Sequence, residues 1–298
     1  MAELSIDNGK MTLASQTSAS ALGTFAPPVA LDSEQQQIYS ARLGKYMQDV
    51  NLTPDFPSSA ATALEMWEKK NGERLDGVIS VDPVALGYIL DATGPVPLTD
   101  PALRVLAGSG LPTTLTGQNV VPTLLSDVYA KIQKPQLQDV YFASVAKEIF
   151  AALSSGKGDD KALLNGIGKG ADERRILLWS ASTDEQKVIA NYPMSGSIAG
   201  ASVTPAQFGV YFNDGTGAKM DYYIKRTVQL VQECTGSEYG QVKVIVTSTN
   251  TAPADAATSL PEYVTGGGFF GVPPGSVRTN VSAYGPAQAN VENARWME

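Results

Sequence analysis

Between Leu75 and Leu98 (LDGVISVDPVALGYILDATGPVPL), apolar positions run almost unbroken on either side of one Asp-Pro pair. Gly77 to Val81 is short, β-branched and nearly continuous in its apolarity, which predicts a buried strand. Asp82 is a good N-cap and Pro83 a good first helical residue, so a helix starts there. Val84 to Leu90 is apolar at nearly every position, which predicts a helix with little solvent face, and Gly94-Pro95 stops it. Strand followed by helix is half of a βαβ unit.

Upstream, Leu4-Ser5-Ile6 and Met11-Thr12-Leu13 alternate around Asp7-Asn8-Gly9, a strong hairpin signal. A loop stiffened by Pro27 and Pro28 follows. Ser33 with Gln36 has capping-box spacing for a helix to about Met47. Pro57 opens a second helix, in which Ala60, Ala63, Leu64, Met66 and Trp67 recur at helical spacing. Glu65, Glu68, Lys69 and Lys70 face away, and Asn71-Gly72 ends it.

Downstream of Leu98, Val120, Leu124, Val128 and Ile132 mark one amphipathic helix. Leu137, Val140, Tyr141, Val145, Ile149 and Leu153 mark a longer one. Asp160 to Ile167 reads as a short helix, and Gly166, Gly168 and Gly170 as a flexible seam. Ile176 to Trp179 predicts a buried strand that could join the domain on either side. Thr183 with Gln186, and Ser182 with Glu185, have capping-box spacing for a short helix.

The pattern then changes to period two. Phe208, Val210 and Phe212 alternate, and Met220, Tyr222, Ile224, Val228 and Leu230 share one strand face. Val242, Val244 and Val246 share another, as do Val277, Thr279, Val281 and Ala283. The fold class expected is an α/β (α+β) N-terminal domain, helices packed on a sheet, over residues 1–170. An antiparallel β-sandwich-like domain follows over 171–298.

Composition narrows the function. The net charge is −8 and the pI about 4.7, with no basic cluster to neutralise phosphates, so nucleic acid is not an expected partner. There is no histidine, which removes Ser–His and Cys–His nucleophile pairs and the usual zinc ligands. Cys234 is the single cysteine and reads as a small buried hydrophobe in a strand. No run reaches the ~18 apolar residues of a membrane span, and no signal peptide follows Met1. The chain opens inside a hairpin, and the expectation is a longer protein with a membrane anchor upstream.

Chemistry-bearing residues are few. Asn213-Asp214-Gly215-Thr216-Gly217 with Lys219, Asp221 and Arg226 is the densest polar group. It reads as a hairpin turn whose Asn, Asp and Gly supply φ > 0, or as a loop gathering carboxylates and cations around a ligand. Arg226 falls on an apolar strand face between Ile224 and Val228, so it requires a partner, expected on a neighbouring strand. Arg174 and Arg175, beside Asp172 and Glu173, read as a solvated or salt-bridged face, or as a bidentate anion grip. The ligand-binding candidates are therefore Arg174, Arg175, Asp214, Lys219, Asp221 and Arg226. Asp82 is accounted for as a cap, and it and Asp76 have no further metal-ligand spacing around them. No metal, cofactor or catalytic residue is read. Gly266-Gly267-Gly268 before Phe269-Phe270 predicts an adaptable loop with an aromatic tip.

LDGVISVDPVALGYILDATGPVPL, ELSIDNGKMTL, DERRILLWSAS (172–182), FGVYFNDGTGAKMDYYIKRTV (208–228) and LPEYVTGG (260–267) resemble the actinobacterial family labelled domain of unknown function 4012. The resemblance implies a membrane-anchored domain on the extracellular face of the cell membrane, acting in envelope assembly or surface contact. Its implied partners are a cell-wall glycopolymer or another envelope protein, and it supplies no catalytic residue. Residues from about Asn51 to Val96 also resemble, at the level of the fold, the LytR–CpsA–Psr family. That likeness implies an alternative, a phosphotransferase attaching glycopolymers to the cell wall, although the matching arginines are not identifiable in this chain. A third reading is a carbohydrate-binding module using Tyr263, Phe269 and Phe270 as its platform.

Overall fold

The computed structural model describes residues 1–8, 10–156, 158–233, 240–286 and 289–295. Cys234 and the Gly9 of the expected turn lie outside the described residues. The chain divides into two compact units, Met1–Gln207 and Phe208–Glu298. Each is α+β or β-rich, and every described ladder is antiparallel and two-stranded.

The first unit opens on the expected hairpin, β1 (Ala2–Asp7) and β2 (Lys10–Gln16), with Ile6 opposite Met11 and Leu4 opposite Leu13. Helix α1 (Ser33–Tyr39) is shorter than its sequence suggests. Asp32, not Ser33, caps it by accepting the N–H of Glu34 and Gln35 at 2.9 and 3.2 Å. Ser40 then adopts φ 62, which breaks the α-helical path, and 3-10 turns replace the helix to Met47. Helix α2 (Phe56–Asn71) matches expectation. Asp55 caps it, Pro57 sits in the first turn and Gly72 closes it in the left-handed region. Ala60, Leu64, Met66 and Trp67 are buried, while Glu68, Lys69 and Lys70 face water.

Strand β3 (Gly77–Val81) leads into α3 (Pro83–Thr93), with Asp82 accepting the Ala85 N–H at 2.8 Å. Of α3's own residues only Asp91 is exposed. The expectations for β3 need correcting twice. It pairs antiparallel with β6 (Ile176–Ser180), so it is not the first half of a parallel βαβ unit. It is also not buried: Ile79 is 56% and Val81 46% exposed. A ladder with a single neighbouring strand leaves part of an apolar strand uncovered.

The main core gathers around the end of α3. Strands β4 (Val96–Pro97) and β5 (Thr114–Leu115) pair beside it. Helix α4 (Val120–Pro122), a π-helical turn (Thr123–Asp127) and α5 (Val128–Lys131) bury Val120, Leu124, Val128 and the following Ile132, as their spacing predicts. Helix α6 (Pro135–Ser154) adds Tyr141, Val145 and Ile149.

Helix α7 (Asp160–Asp172) runs straight through Gly166, Gly168 and Gly170, so these residues are no flexible seam. Two of them are there for space. A Cβ on Gly166 would lie 2.9 Å from the Tyr88 carbonyl oxygen of α3. One on Gly170 would lie 2.8 Å from Ile176 Cδ1 and 3.3 Å from Ala85 Cβ. Gly168 has nothing within 4 Å. The contrast is testable. Gly168→Ala should stabilise by about 0.5–1 kcal/mol through helix propensity alone. Gly166→Ala gains the same propensity but meets a backbone oxygen that cannot swing away, and should destabilise by about 1–2 kcal/mol net. Urea unfolding of the two variants reads both signs.

Helix α8 (Thr183–Ile189) follows β6. Its Glu185 and Gln186 reach back past Ser182 and Thr183 to Ser180. The Ser180 hydroxyl donates to Glu185 Oε2 at 2.6 Å and its N–H to Gln186 Oε1 at 2.9 Å. The pairing of β6 with β3 ties residues 176–180 to the first unit, and the boundary between units falls further along the chain than residue 170.

In the second unit β7 (Gly209–Asp214) pairs with β10 (Thr279–Tyr284), placing Phe212 opposite Val281 and Asp214 opposite Thr279. Strand β8 (Ile224–Glu233) pairs with β9 (Gln241–Asn250) over ten residue pairs without a bulge. Met220 and Tyr222 do not share the β8 strand. They form a 3-10 turn, Met220–Tyr223, in which Met220 is fully buried. Short helices α9 (Ala256–Ser259) and α10 (Glu262–Thr265) lie between β9 and β10.

Candidate functional site

The six candidate residues fall in both units, two in the first and four in the second. Arg174 closes α7 at φ 57, and its guanidinium has no hydrogen-bonding partner among the described residues. Arg175 is paired with two carboxylates. Its Nη1 donates to Asp82 Oδ2 at 2.6 Å and its Nε to Glu173 Oε2 at 2.9 Å. Glu173 also accepts the Tyr88 hydroxyl at 2.8 Å, and Lys169 stands 4.0 Å over the Tyr88 ring. The Tyr88 hydrogen bond, with Arg175 beside it, holds the Glu173 carboxyl below its usual range. The Asp82 cap, the end of α7 and the start of β6 are thereby tied at one corner. That is the salt-bridged face among the readings of this run.

In the second unit the expected turn is not a hairpin, because β7 and β8 pair with β10 and β9 respectively and not with each other. Nor do its glycines supply positive φ: neither Gly215 nor Gly217 is left-handed. Both make room. A Cβ on Gly215 would lie 3.0 Å from Arg278 Nε, and one on Gly217 would lie 2.5 Å from the Phe270 ring. Asp214 accepts the Thr216 N–H at 2.8 Å and the Thr216 hydroxyl at 2.6 Å, so its carboxylate shapes this bend. Lys219 is half-buried, and burial pushes its ammonium down while Asp214 opposes the shift. Its ammonium lies 5.6 Å from the Tyr263 ring centroid.

Arg226 is largely buried, its side chain 13% exposed, and it is paired, as its place on an apolar face requires. Its two terminal nitrogens take both oxygens of Asp221, and Nη2 also donates to Thr279 Oγ1 at 2.9 Å. The guanidinium covers the Phe212 ring at 4.9 Å. The acid comes from the 3-10 turn just before β8, not from a neighbouring strand. The sequence showed Asp221 as a member of the polar group but gave no sign of this pairing, since helical and strand spacings do not bring i and i+5 together.

The structure brings a further element to this group. Gly266, Gly267 and Gly268 are consecutively left-handed, at φ 78, 55 and 83, which only glycine adopts readily. They turn the chain so that Phe270 folds under, onto Gly217 and Gly266, while Phe269 projects with 79% exposure. Beside Phe269 a shallow cleft of about 350 Å³ is lined by Ala257, Leu260, Glu262, Thr265, Gly267 and Pro274. Among the described residues no three His, Cys, Asp or Glu side chains are grouped to hold a metal ion. No described helix is long and apolar enough to cross a membrane.

Residues 1–129 match the family model described as "Protein of unknown function (DUF4012)". The segment belongs to that family. ELSIDNGKMTL and the Leu75 to Leu98 stretch lie inside the DUF4012 match, whereas the three motifs at 172–182, 208–228 and 260–267 lie beyond it. No curated protein and no solved structure matches the chain. Of the six candidate residues none lies within the DUF4012 segment. That segment holds its own cleft of about 370 Å³, between the β1–β2 hairpin and the end of α2, lined by Glu3, Gln16, Trp67, Lys70 and Glu73 among others.

Proposed function

We propose that this chain is a binding domain of the cell envelope. It is held at the extracellular face by an anchor in the longer protein and makes surface contact through the Phe269 loop. The envelope setting and the anchor come from the family resemblance. The single observation behind a binding role is Phe269, which is held out by three left-handed glycines over a cleft carrying the Glu262 carboxylate and Thr265. A rigid exposed aromatic ring beside hydrogen-bonding groups suits the apolar face of a sugar, which makes a cell-wall glycopolymer the first partner to test. The phosphotransferase reading calls for several arginines free to hold a pyrophosphate. Of the three candidate arginines Arg175 and Arg226 are taken up by carboxylates, which leaves Arg174 alone without such a partner among the described residues.

Co-sedimentation with purified cell walls tests the proposal. The protein should bind, and Phe269→Ala should weaken binding by about 30-fold, the scale of losing one anchoring aromatic. Its melting temperature should stay at the wild-type value, since the ring packs little. Equal binding by the two proteins, or none by either, would remove this role from the Phe269 loop.

A further inference from the structure

Strand β8 leaves one edge open. It pairs with β9 alone among the described residues, over ten pairs in unbroken register. From Thr227 to Glu233 every residue is exposed, whereas Val244 to Val246 on β9 are half-buried. An open edge is normally blunted by proline, a bulge or a mid-strand charge. β8 has none of these: Thr227 to Gln232 reads TVQLVQ.

Of its three charges, Arg226 is held by Asp221 over the Phe212 ring, and the other two sit at the ends, Lys225 near the start and Glu233 at the finish. We propose that the β8 edge is a homodimer interface, in which β8 of one copy pairs antiparallel with β8 of a second about a two-fold axis at Gln229. In that register Lys225 stands opposite Glu233 of the second copy, and the symmetry supplies the same pair again at the other end. Val228 stands opposite Leu230 on the face it shares with Val244 and Val246. Thr227 stands opposite Val231 on the other face. The two-fold makes the patch self-complementary, as an isologous interface requires. The four-stranded sheet satisfies the backbone groups that an edge leaves unpaired.

Charge favours a second copy of β8 over other pairings. Lys225 forms no salt bridge among the described residues, so its ammonium is available. Glu233 already meets Lys243 at 2.5 Å, and a carboxylate can accept from two ammonium groups. The β9 edge has no such symmetry, because its one charged residue is Lys243.

Sedimentation equilibrium of the full chain from micromolar to submillimolar concentration tests the interface. The wild type should be a reversible dimer. K225E and E233K each set like charges opposite one another at both ends, and each should raise the dimer dissociation constant at least about tenfold. An equimolar mixture of K225E and E233K should reassociate. In the mixed dimer two carboxylates of the K225E copy face two ammonium groups of the E233K copy, so opposite charges meet again at both ends. Q229K sets two lysines together on the axis and should also give monomer. It leaves the Lys243 contact intact and so serves if E233K fails to fold by circular dichroism. A wild type that stays monomeric, a dimer that survives K225E and Q229K, or folded single variants that fail to reassociate on mixing would each overturn the proposal.

Discussion

Asp221→Ala should destabilise the protein by about 3 kcal/mol, although Asp221 itself is 42% exposed. The cost comes from the partner it abandons. Arg226 has a side chain only 13% exposed, on a strand face between Ile224 and Val228, with its guanidinium on the Phe212 ring. Without Asp221 that cation keeps the Thr279 hydroxyl and a ring face, and water reaches it poorly. Breaking a buried pair by removing one member typically costs about 3–5 kcal/mol, and the lower end applies because water reaches the acid's side of the site. Arg226→Ala should cost less, about 1–2 kcal/mol. It leaves a carboxylate that water can hydrate, and what is lost is the hydrogen bonding and the stem packed on Phe212. The double variant should resemble Arg226→Ala. Equilibrium unfolding in urea gives all three values, and equal costs for the two single variants would contradict this account.

Leu90→Ala should cost about 3–4 kcal/mol, within the range for truncating a fully buried leucine. Leu90 is 1% exposed and packs with Val96, Leu115, Val120 and Tyr141 where α3 ends. Its neighbours come from strands and helices that are each fixed by other contacts, so the cavity left behind collapses only in part. Ile79→Ala, earlier in the same apolar stretch, should cost less than about 1 kcal/mol because Ile79 is largely in water. Unfolding the two variants side by side separates an apolar residue that is buried from one that is merely apolar.

A homodimer through β8 and a surface contact through Phe269 are compatible within the second unit, since they use different residues. Two copies would present two Phe269 loops, and binding to a repetitive polymer would then gain from avidity beyond the affinity of one site. The Q229K variant, expected to be monomeric, offers a way to separate the two contributions, because it leaves the Phe269 loop untouched.

Several local elements follow from the order of the amino acids alone. Asp82-Pro83 and Gly94 delimit α3, Asp7-Asn8 turns the first hairpin, and the spacings of Val120 to Ile132 and Tyr141 to Ile149 name the faces that are buried. Capping, turn chemistry and periodicity produce these, and they act within a few residues of chain. The sequence also showed that Arg226 must be paired, because a guanidinium on an apolar strand face has no other way to be accommodated. What lies across from each element is settled by packing in three dimensions. Strand β3 has one neighbour instead of two and is therefore partly exposed, although its sequence is that of a buried strand. Gly166, Gly170 and Gly217 are glycines because Tyr88, Ile176 and Phe270 arrive from elsewhere in the chain, not because their own backbone is unusual. The acid that answers Arg226 is likewise chosen by the 3-10 turn at Met220 to Tyr223, whose geometry brings Asp221 to the guanidinium. Partners distant in sequence leave no periodic trace in it, and so the site became legible only once the chain had folded.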